Sequence, residues 1–188
     1  ILLHLNTGVR SYFGRITFTT GRVIPTPPVK DAPPLPRLSK IISILRLAVP
    51  YTGLILSTRE TAKTRREAFD LGISQISAGS KTNPGGYSNQ ESTTQFSLGD
   101  HRSLDEVIYD ICEHEYIPSF CTSCYRLGRT GLDFMEYAKP GDIKKKCVPN
   151  ALFTFKEYLD DYASEKTKIL GEKIIKEQLH KLNDEKIN

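Results

Sequence analysis

Short apolar segments of strand type alternate with amphipathic segments of helix type along the first half of the chain. The strand-type segments are compact or rich in β-branched residues, and lie at 16–20, 53–57 and 73–77. Helix-type segments lie between them at 38–49 and 60–71. Strand–helix repeats at such short intervals are typical of parallel βα units, so the sequence predicts an α/β fold.

The length of this pattern limits which α/β fold is possible. About 100 residues of βα units is less than half of a (β/α)₈ barrel of the TIM type, which needs roughly 250. The chain also begins with Ile1 rather than Met, so we expect it to be part of a longer protein. We interpret residues 1–116 as the C-terminal portion of such a barrel and residues 117–188 as a small helical region.

Five other segments of the barrel part have predicted structures. We expect residues 1–5 to end a helix and the six prolines within 25–36 to form an extended loop. A Gly/Ser/Asn-rich loop at 79–92 precedes a possible short strand at 94–98. Ser103-x-x-Glu106 is a capping box that predicts a helix to about Glu115.

The helical region has a different pattern. We predict a short helix near 131–138, a turn at Lys139-Pro140-Gly141, and helices at about 150–163 and 165–182.

The helix at 60–71, in the barrel part, has an apolar side. We expect Ala62, Ala68 and Leu71 to face inward there.

Composition excludes several classes of protein. The 26 Lys and Arg residues against 22 Asp and Glu give a net charge of +4, too mild to indicate nucleic-acid binding. No apolar stretch approaches the roughly 20 residues of a membrane span. Four Cys in 188 residues are too few for a disulfide-stapled secreted domain. We therefore expect a soluble protein with no nucleic-acid or membrane partner.

Three of the four cysteines form a spaced motif. Cys121 and Cys124 are separated by two residues, and 22 residues separate Cys124 from Cys147. A Cys-x₂-Cys turn brings two thiolates to one metal, as in zinc and Fe–S sites. Three thiolates favour a 4Fe–4S cluster with one open iron. Zinc remains an alternative with Cys112 or His114 as fourth ligand, as do ordinary buried thiols; Cys112 is more typical of a helix core.

The cysteine motif and several other segments resemble one enzyme family. The chain is similar over roughly residues 37–175 to the radical S-adenosylmethionine tyrosine lyases that mature the H-cluster of FeFe-hydrogenase. The thiamine-pathway tyrosine lyase, 2-iminoacetate synthase, is a weaker resemblance because it is not known for this cysteine motif. The segments that carry the resemblance are 48–53, 56–60, 71–80, 85–87, 100–103, 117–126, 147–152 and 154–157.

The resemblance implies a fold and a chemistry. It implies a radical S-adenosylmethionine barrel followed by a helical Fe–S domain, in which Cys121, Cys124 and Cys147 hold an auxiliary 4Fe–4S cluster. In the full-length protein a second 4Fe–4S cluster cleaves S-adenosylmethionine, and the resulting radical breaks L-tyrosine into p-cresol and dehydroglycine. The auxiliary cluster then yields CO and cyanide for the hydrogenase. Other hydrogenase maturation proteins would be partners, in the cytoplasm.

Two features depart from the family pattern. The Cys-x₃-Cys-x₂-Cys loop of the radical-generating cluster is not in this chain, so the fragment alone is expected to be inactive. The family's His that binds an extra iron corresponds to Ile16 or Thr17, and the nearest His is His4. A degenerate relative without cluster function, and a zinc-stabilised non-catalytic module, are therefore alternatives.

Polar residues follow two of the predicted strands. Active sites of barrels collect at the C-terminal ends of strands, which makes Ser57 and Arg59 candidate catalytic residues. Ser77 and Ser80 are candidate cofactor-binding residues, or they cap the next loop. Arg59 is alternatively a rim residue paired with Glu60; related biotin-synthase-like barrels carry a lumenal arginine here, which favours the functional role.

Overall fold

The computed structural model describes ten helices and strands. It covers residues 2–5, 15–18, 38–50, 53–81, 98–121, 136, 139–140, 142 and 144–187. The chain divides into two compact units, one of Gly14–His101 and the other of Ile1–Phe13 with Arg102–Asn188. In chain order the elements are β1 (Leu2–Leu5), β2 (Arg15–Phe18), α1 (Leu38–Ala48), β3 (Gly53–Leu56), α2 (Ala62–Asp70), β4 (Gln75–Ile76), α3 (Leu104–Glu113), β5 (Ile117–Ser119), α4 (Lys144–Asp161) and α5 (Glu165–Ile187).

The described residues of unit Gly14–His101 include three parallel strands. β3 pairs with β2 on one side and with β4 on the other, with Leu54 opposite Ile16 and Leu56 opposite Ile76. Leu54 and Leu56 are fully buried, and Ile55 nearly so. Burial of successive residues is typical of a parallel strand covered on both faces, which explains the continuous apolar run at 53–56.

Arg46, near the end of α1, links this helix to the turn that follows α2. Its guanidinium donates to the carbonyl of Gly72 (Nε–O 3.1 Å) and to that of Pro50 (Nη1–O 2.7 Å). Gly72 has φ = 98°, and a Cβ there would lie 2.8 Å from Arg46 Nε. Glycine at this position therefore allows both the left-handed turn after α2 and the close approach of Arg46.

The other unit combines strands β1 and β5 with helices α3, α4 and α5. The two strands are parallel, with Leu3 opposite Pro118 and His4 opposite Ser119. The Ser103 side chain accepts from the Glu106 amide, and the Glu106 carboxylate accepts from the Ser103 amide (2.7 Å), so the predicted capping box is confirmed. The buried apolar side chains of the helices are Val107, Ile108, Ile111, Ala151, Leu152, Phe155, Leu159 and Ile174.

The structure corrects three expectations. Residues 2–5 form strand β1 rather than the end of a helix. A fifth strand, β5, stands at 117–119, where the sequence predicted only a change of pattern. Helix α4 begins at Lys144, six residues before the predicted start. The helices at 38–49, 60–71 and 165–182 are confirmed with shifted ends.

Several predicted segments fall on residues that the structure does not describe. They are the proline-rich loop, residues 82–92 of the Gly-rich loop, 94–97 of the possible strand, and most of the helix near 131–138. The α/β class is confirmed by the parallel strands and intervening helices. That residues 1–116 are the C-terminal portion of a (β/α)₈ barrel, and that a separate region begins at 117, stay predictions. Among the described helices, none is long and apolar enough to cross a membrane.

Candidate functional site

The two pairs of predicted strand-end residues lie at one edge of the sheet. Ser57 directly follows β3 and Ser77 directly follows β4, and the last residues of these strands, Leu56 and Ile76, are register partners. The Ser77 amide donates to the Leu56 carbonyl (3.1 Å). Ser57, Arg59, Ser77 and Ser80 are all half-buried. The parallel register therefore brings the two predicted segments together at the carboxyl edge, as expected of parallel strands.

The segment after β3 is held by local hydrogen bonds. The Arg59 amide donates to Ser57 Oγ (3.4 Å). Thr58 is buried, and its carbonyl accepts from the amides of both Gly99 and Asp100 (3.0 Å each). A third segment, 98–101, is thus attached to the same edge.

A buried ion pair, which the sequence analysis missed, lies beneath these segments. The Arg65 guanidinium, on α2, donates through Nη1 to the Asp100 carboxylate and through Nη2 to the Ser77 carbonyl. The Arg65 and Asp100 side chains are only 1% and 2% exposed. The inner face of α2 consists of Arg65, Ala68 and Phe69, whereas the predicted inward residues Ala62 and Leu71 are half-buried.

Two of the three motif cysteines are among the described residues. Cys121 follows β5 by two residues, is half-buried, and its amide donates to Ser119 Oγ (3.3 Å). Cys147 is the fourth residue of α4 and is also half-buried. Cys124 lies outside the described residues. Both described thiols are therefore partly accessible, as ligands of an added group must be.

Contacts between the end of β5 and helix α4 align the two cysteine segments. The Phe120 amide donates to Thr154 Oγ1 (3.2 Å), and the Phe120 ring stacks on Tyr158 with centroids 4.9 Å apart. Cys147, Thr154 and Tyr158 are spaced by seven and four residues, which places them on one face of α4. Phe120, the neighbour of Cys121, therefore contacts the face of α4 that also carries Cys147.

The start of α4 is an electropositive environment. Unsatisfied amides of a first helical turn carry partial positive charge, which stabilises a nearby thiolate. Lys145 and Lys146 are exposed in the same turn, and Lys145 pairs with Asp142 (3.1 Å). Cys147 thus lies in the first turn of α4, next to two exposed lysine side chains.

Cys112 is a poor candidate for a fourth ligand. It is 1% exposed on α3, and burial, with a smaller contribution from Asp105, raises its pKa to about 12. His114, at the end of α3, is exposed, and its Nδ1 lies 2.8 Å from the Asp110 carbonyl. Cys112 is therefore a core residue, as expected, which weakens the zinc alternative that used it.

The described motif cysteines supply the kind of ligand atom that an Fe–S cluster needs. Within the described ranges, which exclude Cys124, there is no group of three His, Cys, Asp or Glu side chains arranged to hold a metal. Cys121 and Cys147 supply sulfur alone, which is the ligand type of Fe–S clusters and of structural zinc.

A family of proteins matches the part of the chain that forms the strand edge. Residues 24–117, half of the chain, match the Biotin and Thiamin Synthesis associated domain, so the chain belongs to this family. The matched range contains β3, α2, β4 and the strand-edge residues from Ser57 to Ser80.

Similar proteins are known from structures and from curated sequences. The chain is 55% identical to HydG, a maturase of FeFe-hydrogenase, covering 76% of this chain and 31% of that one with a TM-score of 0.70. The chain is 38% identical to HydG of Carboxydothermus hydrogenoformans, covering 73% of this chain and 28% of that one with a TM-score of 0.53. The 2-iminoacetate synthase of Escherichia coli is 36% identical over 96 residues, which is 50% of this chain and 24% of that protein. The chain thus spans about a quarter to a third of the length of these relatives. The resemblance to the hydrogenase-maturing family is confirmed.

Proposed function

We propose that this chain belongs to a radical S-adenosylmethionine tyrosine lyase that matures FeFe-hydrogenase, and that it holds the auxiliary 4Fe–4S cluster. The observation that carries the proposal is the pair of half-buried cysteines, Cys121 after β5 and Cys147 in the first turn of α4. The 55% identity to a hydrogenase maturase supports the same assignment. The proposed whole-protein reaction is cleavage of L-tyrosine to p-cresol and dehydroglycine, a carbon–carbon lyase reaction.

Cys121, Cys124 and Cys147 would be the cluster ligands. When bound, a 4Fe–4S cluster with three cysteine ligands keeps one iron open for the conversion of dehydroglycine to CO and cyanide. The chain's own contribution would be to keep Cys121 in place through the hydrogen bond from the Phe120 amide to Thr154, and to present Cys147 in the first turn of α4. The Lys145 and Lys146 side chains add positive charge beside the thiolates.

The strand-edge residues would bind the substrates of the radical step. We propose that Arg59 binds the carboxylate of an amino-acid group, which both L-tyrosine and S-adenosylmethionine carry, because a guanidinium matches a carboxylate with two parallel hydrogen bonds. Ser57, Ser77 and Ser80 supply hydroxyl groups at the same edge for hydrogen bonds to these ligands. The second 4Fe–4S cluster belongs to the part of the barrel that this chain does not contain.

A thiamine-pathway lyase is the second candidate. The 36% identity to 2-iminoacetate synthase over 96 residues, half of the chain, favours it. The two candidates differ in the cysteine motif: the maturase needs all three cysteines for a cluster, whereas the resemblance implies no auxiliary cluster for the synthase.

Anaerobic reconstitution of the intact protein tests the proposal. We would count iron and sulfide after loading with ferrous iron and sulfide, and record EPR spectra of the reduced protein. Replacement of Cys121, Cys124 and Cys147 by Ala is expected to remove about four iron atoms and one EPR signal. The matched control is Cys112→Ala, which is expected to leave the iron count unchanged because this buried thiol is not a ligand.

The outcome separates the candidates. Equal iron content in the wild-type protein and the triple variant would exclude the auxiliary cluster. Dehydroglycine, which is the same compound as 2-iminoacetate, accumulating without CO or cyanide would then favour the synthase. One zinc ion that survives an excess of iron would favour the zinc-stabilised module. Release of cyanide that depends on Cys147 would support the maturase. We also propose other maturation proteins as partners and the cytoplasm as location.

A further inference from the structure

One buried guanidinium and two backbone hydrogen bonds connect the three segments at the carboxyl edge of unit Gly14–His101. The segments are 57–61 after β3, 77–81 after β4, and 98–101 before α3. Arg65 donates to the Asp100 carboxylate in the third segment and to the Ser77 carbonyl in the second. The first segment is attached to the third by the amides of Gly99 and Asp100, which share the Thr58 carbonyl at 3.0 Å.

The main chain of Gly99, in the third segment, packs closely against the main chain of residues 59–61 in the first. A Cβ added at Gly99 would collide with the Arg59 carbonyl oxygen and would lie 2.7 Å from the Glu60 carbonyl carbon and 2.9 Å from the Thr61 nitrogen. These are main-chain atoms, which have no rotamers with which to move away. The position of segment 98–101 therefore limits where the backbone of Arg59 can stand.

The Arg65–Asp100 ion pair fixes how the second and third segments lie relative to each other. With both side chains almost fully buried, neither charge can leave the other without remaining in the protein interior unpaired. A guanidinium is planar and donates in two fixed directions, so it fixes the carboxylate and the Ser77 carbonyl relative to each other. A lysine ammonium would keep the charge and lose this fixed angle.

We infer that Arg65 and Asp100 are positioning residues that hold Arg59 at the strand edge for binding a carboxylate-bearing substrate. The inference rests on the proposed function of Arg59. Neither residue touches the substrate in this scheme: Asp100 acts through the Thr58 carbonyl and Gly99, and Arg65 acts through Asp100.

The first test is a set of steady-state kinetics on the intact protein with p-cresol formation as the readout. Arg65→Lys is expected to raise the KM for L-tyrosine or for S-adenosylmethionine about fivefold, with a smaller change in kcat. The matched control is Arg102→Lys, because Arg102 forms a second Arg–Asp pair, with Asp110 (2.6 Å), that does not join the strand-end segments. Arg102→Lys is expected to leave KM within about twofold.

The second test asks whether Arg65 acts through Arg59. In an Arg59→Ala background, Arg65→Lys is expected to change the same KM by less than about twofold, because the group that it positions is gone. A fivefold effect that persists in this background would overturn the inference, since it would show a role independent of Arg59.

A third measurement is independent of activity. Amide hydrogen exchange of the intact protein is expected to be about tenfold faster in peptides covering 98–101 for Arg65→Lys than for Arg102→Lys, because Asp100 is then held less firmly and the Gly99 and Asp100 amides leave the Thr58 carbonyl more often. Equal exchange in the two variants would overturn the inference. If the wild-type protein forms no p-cresol while the exchange difference is present, the proposed function fails and the positioning of Arg59 by the ion pair stands.

Discussion

The ring of Phe120 stacks on the ring of Tyr158, with centroids 4.9 Å and planes 19° apart. Phe120 lies between strand β5 and Cys121, and Tyr158 lies on the face of α4 that also carries Cys147. The stack and the hydrogen bond from the Phe120 amide to Thr154 therefore hold one cysteine segment against the helix of the other.

Loss of this stack is expected to destabilise the unit of Ile1–Phe13 with Arg102–Asn188. Phe120→Leu should lower the free energy of unfolding by about 1 kcal/mol, since an aromatic pair contributes about 0.5–1.5 kcal/mol beyond its buried area. Urea unfolding of the intact protein measures the change. Phe153→Leu is the control. Phe153 is on α4, like Tyr158, but is 75% exposed, so this substitution should lower the free energy of unfolding by no more than about 0.5 kcal/mol. Equal losses in the two variants would argue against a structural role for the stack.

The buried thiol of Cys112 is expected to make stability fall at high pH. Its pKa rises from 9.0 to about 12 in the folded state, mainly through burial. Above pH 9 the unfolded chain therefore loses this proton first, so the free energy of unfolding decreases between pH 9 and 12, by up to about 1.4 kcal/mol per pH unit for this group. Cys112→Ala should reduce the slope of stability against pH in this window.

Alkylation gives a direct check of the same difference. At pH 8 in the reduced, metal-free protein, iodoacetamide is expected to modify the half-buried Cys121 and Cys147 and to leave Cys112 unmodified, as measured by mass spectrometry of peptides. Modification of Cys112 at the rate of Cys121 would contradict its assignment to the core.

Local signals were sufficient to predict part of the fold. The Ser103–Glu106 capping box is complete within four residues, and Pro50 and Gly72 follow the ends of α1 and α2 by two residues each, so these boundaries could be derived from the sequence. Strand β1 was mistaken for a helix because four mostly apolar residues have no period that separates the two. Strand β5 was missed because Pro118 interrupts it; among the described strands it pairs with β1 alone, where a proline is tolerated.

Long-range partners explain what the sequence could not predict at the site. Ser57, Arg59, Ser77 and Ser80 follow apolar strands, so their place at the strand ends could be predicted from that pattern, whereas their roles stay predictions. Arg65 has no such signal, because its partner Asp100 is 35 residues away. The spacing of Arg65 to Ala68 and Phe69 put it on the inner face, but spacing gives no reason to bury a charge until a carboxylate is known to be there.

Asp105 on α3 is expected to stabilise the start of α5. Its carboxylate accepts from the Ser164 hydroxyl (2.6 Å), the Ser164 amide (3.1 Å) and the Thr167 hydroxyl (3.1 Å). Burial alone would raise the pKa of Asp105, but these hydrogen bonds, with one from Tyr158, together lower it. Asp105→Asn should therefore cost about 1–2 kcal/mol at pH 7, in the range of a lost helix cap or buried hydrogen bond.

The pH dependence of this effect has a defined sign. A carboxyl whose pKa is lowered on folding contributes stability above its ordinary value of 3.8, and this contribution is lost as the pH falls through the folded value. The difference between wild type and Asp105→Asn should thus shrink below pH 4, measured by urea unfolding at pH 7 and pH 3. Asp161→Asn, at an exposed residue, is the control and should show little change. A penalty that is constant with pH would contradict the role of the ionised carboxylate.

Two glycines that approach other groups closely are expected to differ in their tolerance of a methyl group. At Gly99 the colliding atoms are main-chain atoms of Arg59, Glu60 and Thr61, whereas at Gly171 they are the tips of the Leu159 and Phe155 side chains, at 2.7 and 2.9 Å. Gly99→Ala should cost about 3 kcal/mol, because the backbone must shift. Gly171→Ala should cost about 1 kcal/mol or less, since side chains can rotate and Ala favours the helix by about 1 kcal/mol. Urea unfolding of both variants measures the difference, and an equal cost would mean that segment 98–101 moves freely away from Arg59.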